Sequence, residues 1–238
     1  LTRLEGCRPI IKVIPDMYDI ISGSVKMGAI YGTPLIEVSH DLMPAWEIVL
    51  KRLMDIVISL LSIAILLPVY VVVSILVKLG SPGPVFYRQE RIGRFGKPFM
   101  MIKFRSMKQN AEKSGPALSS DNDPRITPLG RFLRKVRLDE IPQFFNVLKG
   151  DMSLVGPRPE RQFFIDRIVE KAPHYKHLLK VRPGITSWGM VKYGYAENVD
   201  QMIRRMKYDI LYIENMGIAV DLKIMIYTVL TVIQGRGK

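Results

Sequence analysis

Residues 56–77 read IVISLLSIAILLPVYVVVSILV, twenty-two residues without a charge and with only Ser59, Ser62 and Ser74 as hydroxyl interruptions. At 1.5 Å per residue such a helix extends roughly 33 Å, about the thickness of the hydrocarbon core of a bilayer. A membrane helix is therefore the first reading. Pro68 lies near the midpoint, where it deletes one backbone hydrogen bond and crowds the preceding turn, so a break or bend is predicted there. Lys51 and Arg52 precede the run, and Lys78, Arg88, Arg91 and Arg94 follow it. Basic residues favour the cytoplasmic side, so positive charge at both ends suits two half-helices that enter one leaflet and return. Halves of about 11 residues would each reach only ~16 Å. On the residues alone three readings stay open: a kinked spanning helix, which the length favours, a re-entrant helix, and a core helix of a soluble protein.

The rest of the chain is of ordinary globular composition. Its 238 residues, 48% hydrophobic and 24% charged, suffice for one large domain or two small ones and exclude a disordered or fibrous protein. Mean hydropathy is +0.12, high for so charged a chain, and the run at 56–77 accounts for it. Lysine and arginine number 35 against 22 acidic residues, a net charge of +13, which points to an anionic partner: nucleic acid, a phosphate ester or acidic lipid. The one cysteine, Cys7, and three scattered histidines, His40, His174 and His177, exclude an intrachain disulfide framework and a Cys/His zinc site, and suit a reducing compartment. The sequence opens on Leu1 with no charged, apolar and cleavage-site pattern, so it reads as a fragment with no secretory signal in this stretch.

Three regions follow. In residues 1–45, IIKVIP (Ile10 to Pro15) and TPLIEV (Thr33 to Val38) read as two strands, too little to close a core, and so as the C-terminal remnant of a truncated α/β-like domain. Residues 46–80 hold a short linker helix over Ala45 to Asp55 and then the membrane helix. Residues 81–238 open on the rigid turn Ser81-Pro-Gly-Pro84. There FMMIKFRSM (99–107) reads as a strand whose alternation puts Lys103 and Arg105 on one face. Residues 109–124 form a polar loop long enough to act as a lid. Val199, Met202, Ile203, Met206, Ile210 and Ile213 keep helical spacing and predict an amphipathic helix over 198–215. A last helix over 219–233 has a narrow polar stripe of Asp221, Thr228 and Thr231, so it is buried on most sides or docked on a membrane surface, being too short to span.

Leu138-Asp139-Glu140-Ile141-Pro142-Gln143 leads into the apolar run FFNVL, and a proline so placed fits only a first helical turn. Asp139 and Glu140 are thereby expected at a helix N-terminus, where unpaired amides favour an ionised carboxylate or a phosphate oxygen. Plain capping is the competing role. Their company favours chemistry: Arg131, Arg134, Lys135 and Arg137 precede them, and Gly156-Pro-Arg-Pro159 and Arg182-Pro-Gly184 follow. Prolines on both sides of Arg158 stiffen its loop, so the planar guanidinium is ready for a bidentate phosphate contact. From Ser81 to Glu160 there are 15 basic and 8 acidic residues, which suits a phosphoryl-transfer site, with a basic face on acidic lipid as the alternative.

PGPVFYRQERIG (82–93), KFRSM (103–107), LDEIPQFFNVLKGDMSLVGPRPE (138–160) and VRPGIT (181–186), in that order, resemble the bacterial sugar transferases, the monotopic phosphoglycosyl transferases, over about residues 48–238. The resemblance implies an α+β, mostly helical monotopic membrane protein with a re-entrant helix broken at Pro68, small β elements, surface amphipathic helices and a cytosolic catalytic domain over 81–238. It implies that Asp139 attacks the β-phosphate of a UDP-sugar, releases UMP and carries the phosphosugar until polyprenol (undecaprenyl) phosphate takes it. Glu140 matches the second member of that dyad, associated with Mg²⁺, which makes Asp139 and Glu140 the metal-binding candidates. Lys103 and Arg134 match basic positions at the active site and Arg158 matches the arginine of the PRP loop. Arg105 and Arg182 join them as substrate-binding candidates, and Asp209 and Asp221 resemble acidic positions in the closing helices. Expected partners are the UDP-sugar, the polyprenol phosphate, membrane lipids and a second copy, since some larger members pair as dimers. Nucleic acid is not among them, because no recognisable binding module orders the aromatics. The expected location is the cytoplasmic face of the bacterial inner membrane. A membrane-anchored basic scaffold without catalysis is the rival reading. Two departures stand out: Leu67 precedes Pro68 where many relatives have serine, and Ser187 stands where glycine is frequent.

Overall fold

The computed structural model describes residues 11–13, 36–38, 42–109, 111 and 123–234; most of the polar loop expected at 109–124 lies outside these. There are two compact units, Leu1–Pro44 and Ala45–Lys238. In the first, β1 (Ile11–Val13) and β2 (Ile36–Val38) pair antiparallel with Ile11 opposite Val38, so both apolar runs form strands.

The second unit is mostly helical. The expected linker helix and membrane helix are one element, α1 (Ala45–Gly80), and its helical path runs through Pro68 without interruption. The predicted break is thus corrected: Pro68 cannot donate to the Ala64 carbonyl, but the apolar ladder on either side continues. The most apolar window of α1 has a mean hydropathy of 2.9 and is only 17% buried. Leu60, Ile65, Leu67 and Val71 are all exposed, which sets the soluble-core reading aside.

After α1, β3 (Phe86–Ile92) and β4 (Pro98–Phe104) form an antiparallel hairpin with Phe86 opposite Phe104. Helix α2 (Pro128–Lys135) begins where the Thr127 hydroxyl accepts from the Gly130 amide. A 3₁₀ turn, Leu138–Glu140, leads to α3 (Gln143–Lys149). Asn146 fastens α3 to β4, accepting from the Ile102 amide at 3.0 Å and donating to the Met100 carbonyl at 2.8 Å. Strand β5 (Ser153–Val155) pairs in parallel with β6 (Gly184–Thr186). Just beyond β5 the GPRP loop crosses the VRPG segment so closely that a Cβ on Gly156 would lie 2.3 Å from the Arg182 carbonyl oxygen, so the crossing admits no side chain. Then follow α4 (Gln162–Lys171), a 3₁₀ stretch over Pro173–Lys180, α5 (Trp188–Lys192), α6 (Val199–Glu214) and α7 (Ile218–Ile233). The periodicity at 198–215 is α6, capped by Asn198, and the last predicted helix is α7, whose Leu222, Ile226, Val229 and Leu230 are exposed.

Both halves of α1 grip the same body. In the N-terminal half, Arg52 donates to the carbonyls of Val147 and Leu148 at 2.7 and 2.9 Å, and Asp55 accepts from the Ser153 hydroxyl and the Leu154 amide. Lys51 pairs with Asp221 at 2.5 Å and donates to the Val155 carbonyl. In the C-terminal half, the Tyr70 hydroxyl donates to the Ile141 carbonyl at 2.6 Å, and Tyr70, Val73 and Val77 share a core cluster with Phe104 and Leu133. Lys51 and Arg52, read from the sequence as a basic flank of the apolar run, are therefore engaged inside the protein. At the end of α3 the Gly150 amide donates to the carbonyls of Asn146 and Val147, and Arg52 adds side-chain donors to Val147 and Leu148.

Candidate active site

The acidic pair is presented by the 3₁₀ turn before α3, one step ahead of the helical first turn that Pro142 predicts. Arg137 enters this turn in the left-handed region, at φ 61°, a conformation costing a non-glycine residue about 1–2 kcal/mol. Its guanidinium turns back to Glu140, with Nη1 3.1 Å from Oε2. Lys103 Nζ from β4 lies 2.8 Å from Glu140 Oε1, and Arg158 Nη2 from the GPRP loop lies 3.3 Å from the same oxygen. The Tyr195 ring backs two of these cations, with Arg137 Cζ 4.5 Å and Arg158 Cζ 5.2 Å from its centroid.

The two carboxylates thereby differ. Burial opposes ionisation of Glu140, but Lys103, Arg158 and Arg137 outweigh it and hold this carboxyl well below the usual range. Burial pushes the Asp139 carboxyl up, and the adjacent Glu140 charge adds to it, against Lys103, Arg134 and Arg137. Asp139 accepts no hydrogen bond among the described residues and stands on the wall of a cavity of about 560 Å³, beside Lys103, Arg134, Arg158 and Tyr195. Glu140 is held behind that wall. One carboxylate is fixed and neutralised; the other faces open space among cations.

Of the predicted site residues, Lys103, Arg134, Asp139, Glu140 and Arg158 come together. Arg105 lines the same cavity as Lys103 but is committed elsewhere: its guanidinium donates to the carbonyls of Val77, Ser81 and Pro82, tying off the end of α1 at one rim of the cavity. Arg182 is engaged at the C-terminus of α3, where Nε donates to the Gly150 carbonyl at 3.1 Å, off the cavity wall. Asp209 accepts from the Gly189 amide at 2.9 Å at the start of α5, and burial pushes its carboxyl up to about 6. Asp221 joins Lys51 to the Tyr212 hydroxyl. Neither acid touches the cavity. Ser187, in its departure from glycine, caps α5 by accepting from the Met190 amide. Sequence reasoning missed Tyr195, Glu160 and Arg205, and read Arg91 only as a basic flank. Glu160 lies between Arg91 and Arg205, at 3.2 and 2.5 Å, and all three line the cavity. The one signal in the sequence was the placement of Glu160 directly after the PRP turn.

An acidic pair set among cations on a cavity wall, in the same body that grips a long apolar helix, is the arrangement expected of transferases that move phosphoryl groups beside a membrane. Residues 46–235 match the family described as bacterial sugar transferase, and the chain belongs to that family. It is 39% identical, over 94% of this chain and 52% of the relative, to the UDP-N-acetylgalactosamine-undecaprenyl-phosphate N-acetylgalactosaminephosphotransferase of Aeromonas hydrophila. It is 36% identical, over 92% of this chain and 48% of the relative, to the UDP-glucose:undecaprenyl-phosphate glucose-1-phosphate transferase of Escherichia coli (strain K12). A protein of the same description from Caulobacter vibrioides is 38% identical over 83% of this chain and 72% of its own length. The chain spans about half the length of the first two relatives.

Proposed function

We propose that the protein transfers a sugar 1-phosphate from a UDP-sugar to undecaprenyl phosphate through a phosphosugar ester on Asp139. The observation that carries this reading is the asymmetry of the pair: Glu140 has three cationic partners, whereas Asp139 faces the cavity with its oxygens uncommitted. An Asp139 oxygen attacks the β-phosphorus of the UDP-sugar. The bond from that phosphorus to the bridging oxygen breaks, and UMP leaves with the electron pair. An oxygen of the lipid phosphate then attacks the same phosphorus, the Asp139 ester bond breaks, and the carboxylate returns. Lys103, Arg134 and Arg158 lower the repulsion between carboxylate and diphosphate and stabilise the charge on the transferred group.

The donor set fits Mg²⁺ of the kind held by one or two carboxylates and substrate oxygens, rather than a preformed cage, since no cluster of three acidic, histidine or cysteine ligands occurs among the described residues. Asp139 would hold it with the diphosphate, and Glu140 stands beside it. When bound, the ion supplies charge neutralisation of the diphosphate.

The same reading makes α1 re-entrant at the cytoplasmic face of the membrane. Arg52 and Asp55 on one half and Tyr70 and Val77 on the other attach to one body, whereas a crossing helix would carry one end roughly 30 Å through hydrocarbon. A bend near Pro68 brings the exposed stretch around Leu60 to Val72 into one leaflet and the lipid phosphate to the cavity. With Cys7 replaced by alanine, single cysteines at the exposed positions Trp46 and Leu79 react with a membrane-impermeant maleimide from the same side of oriented vesicles. Reaction from opposite sides restores the spanning helix.

The activity is tested by incubating the protein with undecaprenyl phosphate, Mg²⁺ and, one at a time, UDP-glucose, UDP-galactose, UDP-N-acetylglucosamine and UDP-N-acetylgalactosamine. UMP and a lipid-linked sugar diphosphate are expected with at least one donor. No UMP from any of them, or from a wider panel of modified UDP-sugars, leaves the lipid-binding scaffold as the better reading.

A further inference from the structure

We propose that Tyr195 is a positioning residue for the carboxylate pair: its ring face holds the guanidiniums of Arg137 and Arg158 on Glu140, and so keeps the charge pattern in which Asp139 is the reacting oxygen. The inference deepens the reading above and rests on it where turnover is measured.

Arg137 and Arg158 reach Glu140 from two separate segments, the 3₁₀ turn and the GPRP loop, and among the described residues the ring that touches both is Tyr195. A guanidinium over an aromatic face is attracted by the ring quadrupole, more strongly when water is excluded, and Tyr195 is buried enough that its hydroxyl is pushed up to about 12. The two contacts offset the left-handed backbone at Arg137, which is otherwise unfavourable. Tyr195 is itself held from behind. Helix α5 is fixed at its start by Asp209 and Ser187, and after its C-cap at Tyr193 the chain turns at Gly194, φ +88°, a left-handed turn suited to glycine. That turn returns the ring to the cavity wall. Asp209, remote from the reaction, thus acts on the pair through α5 and Tyr195. The groups facing Glu140 are Lys103 from β4, Arg137 and Asp139 from its own turn, Arg158 from the GPRP loop and Tyr195 from the segment after α5; Arg134 of α2 faces Asp139.

The test compares Tyr195→Phe, which keeps the ring, with Tyr195→Leu, which keeps apolar bulk only. With the donor that gives UMP in the panel above, Tyr195→Leu lowers kcat about tenfold, the scale of losing two cation–π contacts at a partly exposed ring. Tyr195→Phe stays within about twofold of the parent, because the quadrupole of the ring remains. A packing role does not produce the Phe/Leu contrast. The second measurement needs no turnover: a double-mutant cycle of Tyr195→Leu with Arg137→Gln is read by thermal melting. The double variant falls by less than the sum of the two single falls, because the ring and the guanidinium lose the same contact. Additive falls overturn the inference, whether or not the panel yields a donor; absence of UMP with a coupled cycle overturns the transferase reading alone.

Discussion

Asp139→Asn lowers turnover by about 10³-fold or more, the scale of removing a covalent nucleophile, and abolishes the adduct that the parent protein accumulates when given a UDP-sugar without lipid acceptor. The substitution replaces one oxygen by an amide nitrogen that cannot attack phosphorus and keeps the shape of the side chain. Its effect on folding runs the other way. Burial and the neighbouring Glu140 charge raise the Asp139 carboxyl above its ordinary 3.8 in the folded protein. A raised acid contributes most below its unfolded value, and that contribution is lost as pH rises through the folded value. Near neutrality the charged Asp139 therefore does not stabilise the fold, and the Asn variant unfolds at the same temperature as the parent or above it. Intact-protein mass spectrometry and a thermal melt check both halves. An adduct retained in Asp139→Asn moves the nucleophile elsewhere, and a large fall in melting temperature assigns the loss of activity to unfolding.

Glu140→Gln produces the opposite pattern. Its carboxylate neutralises Lys103, Arg137 and Arg158 at 2.8, 3.1 and 3.3 Å, all of them largely buried. Removing the one negative partner leaves three cations crowded without it, and breaking a buried ion pair in this way costs about 3–5 kcal/mol. For a body of this size that is a fall of about 10 °C in melting temperature, accompanied by loss of turnover as the cations swing out of place. The pH dependence has a definite sign. Glu140 is held well below its ordinary value of 4.5, so its contribution is complete above that pH and is lost as pH falls through the folded value. The parent is thus destabilised by acid in a step that Glu140→Gln lacks. Melts at neutral and acidic pH measure the difference; parallel pH dependences in the two proteins would contradict the cage around Glu140.

Much of this was legible in the chain. Residues 56–77 announce a membrane-seeking helix because a run without charges can be solvated only by lipid or protein core. The FFNVL run, the spacing over 198–215 and the two short β-branched stretches near the N-terminus become α3, α6 and the β1/β2 pair, since local periodicity and side-chain branching bias the backbone directly. The association of Asp139 and Glu140 with arginines was visible as density of charge along the sequence. Less accessible was the use to which each cation is put. Arg105 and Arg182 look like phosphate ligands by type, yet both donate to carbonyls at helix ends. Lys51 and Arg52 read as the basic flank of the apolar run, and the fold engages both inside the protein.

Sequence alone therefore determined most of the elements, the excess of basic charge that suits an anionic partner and the place of the acidic pair within it, because these depend on residue type and on neighbours close in the chain. Only the tertiary structure shows which carboxylate is enclosed by cations and which lines the cavity. Lys103, Arg137 and Arg158 come from three segments, and their convergence on Glu140 rather than Asp139 depends on the β4 ladder, a left-handed residue and a crossing of two glycines. Electrostatic energy falls with distance through space, not along the chain, so the division of labour between two adjacent acids is fixed by what folds around them.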